Sequence, residues 1–319
     1  RFHLTNKVGN NLAIGGSPNK SLGYAEINAG KFIFNPPDGA TLGIGNWTGG
    51  WSVLHQRGGT FYAKDGYWGR GGEVDMRFSG GTAHVASCMY VPRRGGYCNN
   101  TNGFASVVVD SGSRFVVSNA VELAHRNVST GLVTVANGSL LEANHVCKYK
   151  DSDGFAGLSF RGGGVSARLD GEKLLGDPAA NTALDRATVF AEGAVLDALE
   201  GVTASVDVPL EPPTGKGIAA IAVPQGVRVH AAAPYVIIKG DGYGATASAI
   251  YDSETMKVTG VEVTNPGWGY TEATAEMFFG GAVTNWPLQV TLSDAVTTGG
   301  LVKTGPGTIV LNAANTYGG

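Results

Sequence analysis

Short runs of alternating apolar and polar residues recur along this chain, and glycine-bearing turns break them. The segments SVVVDSGSRFVV (106–117), LVTVANGSLLEA (132–143), LSFRGGGVSARL (158–169), ATVFAEGAVLDA (187–198) and AIAVPQGVRVHA (220–231) share one frame: strand, tight turn, strand. Residues 26–34, 54–63 and 77–86 fit it too. Period-two alternation is the mark of a strand with one buried face. The aligned turn glycines are Gly30, Gly59, Gly81, Gly112, Gly138, Gly163, Gly193 and Gly226, with a mean spacing of about 28 residues. A third short run often follows, as at 12–15, 42–45, 88–91, 121–124, 146–149 and 173–176.

Three strands per period cannot bury an inner face alone. Stacked copies can, by pairing each strand with its counterpart above and below. The pattern therefore predicts an all-β fold, a right-handed parallel β-helix with turns of about 28 residues. β-Sandwich modules would need about 80–100 residues each. Residues 1–234 read as β-helix rungs and 235–283 as an inserted small β module. Residues 284–319 read as the resumed helix. Within the module, MKVTGVEVTNPG reads as two alternating strands with a turn signal at Pro266-Gly267.

Composition sharpens this. Of 319 residues, 50 are glycine and 13 proline, which disfavours helices; 43% are hydrophobic, which excludes a disordered chain. Only 15% are charged, with net charge −3 and no basic stripe, so nucleic acid is not expected as a partner. No apolar run is long enough for a membrane span. The chain starts at Arg1 without Met and reads as a piece of a longer precursor. Three cysteines leave two readings open: a Cys88–Cys98 bridge, or buried reduced thiols.

Residues 299–319, GGLVKTGPGTIVLNAANTYGG, resemble the autotransporter-associated β-strand repeat. Gly300, Leu301, Lys303, Gly305, Gly307, Thr308, Leu311, Asn315, Thr316, Tyr317 and Gly319 fall on the family's motif, and Ile309 replaces its usual Leu. The resemblance implies a bacterial β-helix exported to the cell surface or beyond, in which this motif is a structural rung. No C-terminal membrane barrel follows it in this sequence. Residues 239–281, with GDGYGA and VTNPGWGYT, resemble a small β module of phage virion and bacterial surface proteins.

Chemistry is sparse. A glycosidase needs two facing carboxylates, and Asp75, Asp110, Glu142, Glu192 and Asp197 read as out of register around the turn. His55, His84, His125 and His145 fall in different strands or frames. No metal site, catalytic residue or cofactor is expected. Aromatic loops are the better clue. Trp47, Trp51, Tyr62, Tyr67 and Trp68 read as lying off the core pattern. Trp47, Trp51, Tyr67 and Trp68, with Tyr243, Trp268 and Tyr270 of the module, are candidates for stacking on sugar rings or on another protein. The expected function is a non-enzymatic segment of a bacterial secreted or cell-surface protein: stalk, adhesin or self-assembling fibre subunit. Its partners would be further copies of itself or surface glycans. The rival is a polysaccharide lyase or depolymerase working on a β-helix face.

Overall fold

The computed structural model describes the chain except for residues 1, 4–11, 15–20, 36–41, 46–49, 70–71, 94–102, 126–128, 225–226, 228–231, 280–284, 295 and 319. Every regular element among the described residues is a β-strand. Three large parallel sheets hold most of them. The first has nine strands, from Phe2–His3 through Lys31–Phe34 and Thr60–Ala63 to Ala194–Ala198 and Leu301–Thr304. The second has six, from Leu12–Ile14 to His145–Lys148, and the third eight, from Leu22–Ile27 to Leu210–Glu211. Up to Ala167 the chain visits the third, first and second sheets in rotation. Each strand pairs with its counterpart one cycle on. Phe104–Val109, for example, matches Glu73–Phe78 on one side and residues 130–135 on the other, position by position.

The alternation read from sequence decides which face is buried. Val74, Met76 and Phe78 point inward, while Glu73, Asp75 and Arg77 point out of the third sheet. The inner faces of all three sheets feed one hydrophobic cluster. Its aromatic centre links Phe61, Phe78 and Phe115, with Phe78 and Phe115 ring centroids 4.4 Å apart.

Turns between third-sheet and first-sheet strands stack on one another, and their glycines lie in the left-handed region. In the 158–169 segment that conformation falls on Gly162, one residue before the glycine aligned by sequence. A Cβ on Gly81 would sit 2.1 Å from the Gly59 carbonyl oxygen of the turn below, whereas one on Gly138 would meet nothing within 4 Å. Gly138→Ala should therefore cost only the left-handed strain, about 1–2 kcal/mol. Gly81→Ala should cost at least twice as much in urea unfolding. Equal losses would mean that the stacked turns separate freely.

The inserted region is larger than the sequence reading placed it. Ile218–Ala222, assigned to the rungs, pairs antiparallel with Trp286–Leu292, assigned to the resumed helix. With Ala273–Phe278 and Tyr235–Gly240 they make a four-stranded antiparallel sheet. The period alone could not reveal this, because a parallel-stacked strand and an antiparallel one share the same two-residue alternation. Lys257–Asn265 is one continuous strand rather than two, hairpinned with Thr246–Asp252. The module has a hydrophobic cluster of its own around Ile218, Val236, Tyr251 and Met277.

The chain leaves the parallel sheets after Glu211 and returns before Leu301. Leu301–Thr304 then pairs parallel with residues 194–197, and Thr308–Leu311 with Thr203–Val206. The Thr316 amide donates to the Leu210 carbonyl at 3.0 Å. The terminal repeat is thus laid directly on the cycle that precedes the module.

Candidate functional site

The aromatic residues singled out by sequence separate into distinct groups. Trp47 lies outside the described residues. Trp68, expected in a loop, is 0% exposed and belongs to the core. Gly66 and Trp68 both face inward, and a Cβ on Gly66 would lie 2.7 Å from the Trp68 ring. The glycine leaves the room that the indole fills. Tyr67 points outward beside Tyr90, and Tyr62 meets His84 edge-on on the first sheet. Trp51 packs against Phe278 of the module with centroids 4.0 Å apart.

In the module, the GDGYGA and NPGWGY motifs prove to be two halves of one structure. Tyr243 and Trp268 form an antiparallel bridge with two reciprocal amide-to-carbonyl bonds of 3.0 Å. Glycines on both sides are needed, since a Cβ on Gly244 would sit 2.6 Å from the Trp268 ring. The bridge lays Tyr243 over Trp268 in a stacked pair, centroids 6.4 Å apart. Phe155 of the third sheet lies 6.4 Å from Tyr243, and the Arg186 guanidinium sits 4.9 Å from the Trp268 ring centre. Tyr243 is 61% exposed, whereas Trp268 and Tyr270 are buried beneath it. Asp241 ties the base of this platform. Its carboxyl is held down to about 2 by the Thr271 hydroxyl and the Glu272 and Thr271 amides. An exposed aromatic face beside a cation and acceptors suits stacking on a sugar or on a protein side chain.

A buried polar seam joins the module to the outer face of the third sheet. Asp75 accepts from the Ser248 hydroxyl at 2.6 Å and faces His55 Nε2 at 3.4 Å. Arg77 is gripped by Asp110 of the next strand and Glu262 of the module. Burial alone would raise the Asp110 pKa, but the Asn137 amide and the Arg77 guanidinium hold it below the ordinary range. The Asn265 amide donates to Thr134 Oγ1 at 3.1 Å, and Arg161 donates to the Thr264 carbonyl at 2.8 Å. The module is thereby fixed across several cycles of the sheet. Sequence alternation showed which residues faced outward but not what would cover them.

The acids are not all out of register, as the sequence reading held. Glu142, Ser166 and Asp197 are successive cross-strand neighbours on the first sheet. Parallel copies one cycle apart can align despite unequal loop lengths, because the loops absorb the difference. Both carboxylates are occupied, however. Arg114 and Arg168 bind Glu142, and the Ser166 and Thr304 hydroxyls donate to Asp197. Of the histidines, His84 pairs with Ser118, His125 packs on Tyr149 with centroids 3.6 Å apart, and His145 faces Glu172. Cys88 carries a free thiol near Asn119, and burial pushes the Cys147 thiol above its ordinary pKa. Cys98 lies outside the described residues.

Among the described residues, Leu301–Thr304 pairs only with residues 194–197 and Thr308–Leu311 only with Thr203–Val206. Leu311 stands in register with buried Val206, yet it is exposed, as are Val302 and Val310. Leu301, Ile309 and Tyr317 are half-buried, packed against the core from one side.

No protein-family model, curated protein or solved structure matches this chain.

Proposed function

We propose that this chain is a right-handed parallel β-helix with a non-enzymatic role: a stalk, adhesin or self-assembling fibre segment of a bacterial secreted or cell-surface protein. The observation that carries the reading is the rotation of strands through three parallel sheets, each strand laid in register on its counterpart of the cycle before, on to the repeat at 299–319. Such a stack grows by adding further cycles, and each cycle contacts only its neighbours. The resemblance of 299–319 to an export-associated repeat supports the same view. The Tyr243–Trp268 platform, carried on the flank, supplies a surface for glycan contact. The lyase or depolymerase alternative has weaker support, because the in-register acids of the first sheet are already bound by arginine and hydroxyl partners.

Sedimentation velocity tests the proposal. The protein should show concentration-dependent association into elongated species. Leu311→Glu, which puts a charge directly over inward Val206, should return it to monomer. A monomer at all concentrations would sink self-stacking. Incubation with a panel of acidic polysaccharides should yield no unsaturated products by ultraviolet absorbance, and their appearance would replace this reading with the lyase.

A further inference from the structure

Where the module meets the third sheet, the two surfaces do not close completely. They leave a cavity of about 220 Å³. One wall comes from Glu73, Asp75, Phe104 and Ser106 of the sheet; the other comes from residues 235–239 and 245–247 of the module. The cavity exists only because the module docks there.

Its polar groups are unevenly satisfied. Asp75 is 5% exposed and spends one oxygen, Oδ2, on Ser248 and His55, while Oδ1 is buried without a partner. Ser106, its cross-strand neighbour, is 2% exposed, and its hydroxyl is likewise buried without a partner. Buried polar groups are satisfied in native proteins as a rule, so two adjacent orphans lining one cavity point to something that fills it. Glu73 lies two residues from Asp75 on the same face of the strand. Burial pushes its carboxyl up, against hydrogen bonds with Trp51 and Tyr235 and the nearby Lys239 charge, which pull it down. Burial and the neighbouring Glu73 and Asp75 keep the Tyr235 hydroxyl protonated, so it is a donor.

The charge balance selects the ligand. Two carboxylates face the space. The one lysine on its lining, Lys239, is paired with Glu276 at 2.8 Å. Arg77 is committed to Asp110 and Glu262. His55 touches only Oδ2 of Asp75, so Oδ1 and the Ser106 hydroxyl still want a donor; an anion offers none, and an ammonium offers the strongest. A divalent metal demands about six or more oxygens, and among the described residues no three His, Cys, Asp or Glu side chains converge. The remaining walls, Phe104, Val236, Ala245 and Ala247, are apolar and ask for a carbon body. The space is many times the roughly 10–15 Å³ that one water needs on this measure, enough for a single ring.

The geometry points to a binding site for a small organic ammonium ion, a primary amine on a compact ring, held between Asp75 Oδ1, Ser106 Oγ and Glu73. The ammonium supplies three donors, which match those acceptors. The ring lies against Phe104 and the module alanines. Because both walls contribute, bound amine also clamps the module to the sheet. This site is separate from the terminal repeat and stands whether or not copies associate.

Calorimetric titration of the full chain with benzylamine and glucosamine tests it, with benzyl alcohol and glucose as neutral counterparts. At least one amine should bind saturably, and both neutral compounds should bind at least tenfold more weakly. Asp75→Asn should weaken amine binding tenfold or more. Ser106→Val, which removes one orphan acceptor and puts carbon in its place without touching the Asp75–Ser248 bond, should also weaken it tenfold or more. That variant decides the matter if Asp75→Asn fails to fold. Absence of saturable binding, equal binding of amines and neutral counterparts, or unchanged binding by Ser106→Val would each overturn the proposal.

Discussion

Trp68→Ala should lower the unfolding free energy by about 3–5 kcal/mol, the usual cost of emptying a large buried aromatic site. The indole is wholly enclosed, with Phe61 6.4 Å and Phe115 6.2 Å away between ring centroids. Neighbouring cycles cannot close the void, because their strands are held in register on both sides. Tyr243→Ala, by contrast, should change stability by no more than about 0.5 kcal/mol, as for most surface substitutions. The comparison separates a packing tryptophan from a contact aromatic, two roles that the sequence had placed together. The Trp68 indole N–H is buried without a partner. Trp68→Phe loses volume but also removes that orphan donor, so it should cost less than half as much as Trp68→Ala. Urea unfolding of the three variants checks all of this. A Trp68→Ala loss as small as that of Tyr243→Ala would return Trp68 to the surface.

Arg77→Met should be as damaging, about 3–5 kcal/mol, because it strands a buried carboxylate. The two ion pairs at Arg77 are unequal, however. The Asp110 side chain is 5% exposed and that of Glu262 44%. Water screens the second pair far more than the first. Double-mutant cycles with Asp110→Asn and Glu262→Gln should therefore find the stronger coupling to Asp110. Acid unfolding provides a further check. The folded pKa of Asp110 is depressed, so its contribution is complete above the ordinary carboxyl value of about 3.9 and fades as the pH drops through the lower folded value. Arg77→Met should flatten that acid-side loss. Equal couplings, or an acid profile unchanged by the substitution, would contradict the role given to this cluster. Glu262 belongs to the module, so its weaker coupling also measures how much this contact adds to docking.

Several features were legible in the chain for local reasons. Alternation in 73–78 and 104–109 identifies inner and outer residues, since successive strand side chains point to opposite faces whatever the strand pairs with. Turn glycines at 59 and 81 mark sharp corners, and the structure adds that a stacked carbonyl below forbids any Cβ there. The repeat at 299–319 was visible as strand, turn, strand. Its Leu301, Ile309 and Leu311 stand over inward Ala194, Ala204 and Val206, but Lys303 stands over inward Leu196, so alternation alone did not place it. Misreadings arose where local pattern is ambiguous. Residues 286–292 alternate as well as any rung and 218–222 form a short apolar run that a buried strand also shows, yet they pair antiparallel with each other. Trp68 sits among glycines and polar residues that resemble a loop, but the three-residue strand Gly66–Trp68 turns its side chain inward.

By itself the sequence determined an all-β chain, its repeat of short strands and the corners between them. Each is encoded within a few neighbouring residues, through side-chain alternation and glycine's freedom at positive φ. Only the tertiary structure decided where the module lies and what its docking creates. Asp75 meets Ser248 across 173 residues of sequence, and Arg77 meets Glu262 across 185. Such contacts depend on which surfaces fit once both parts have folded, and no period in the chain records them. The unfilled space beside Asp75 and Ser106 belongs to that second kind, because it arises where two surfaces distant in sequence meet and do not fully match.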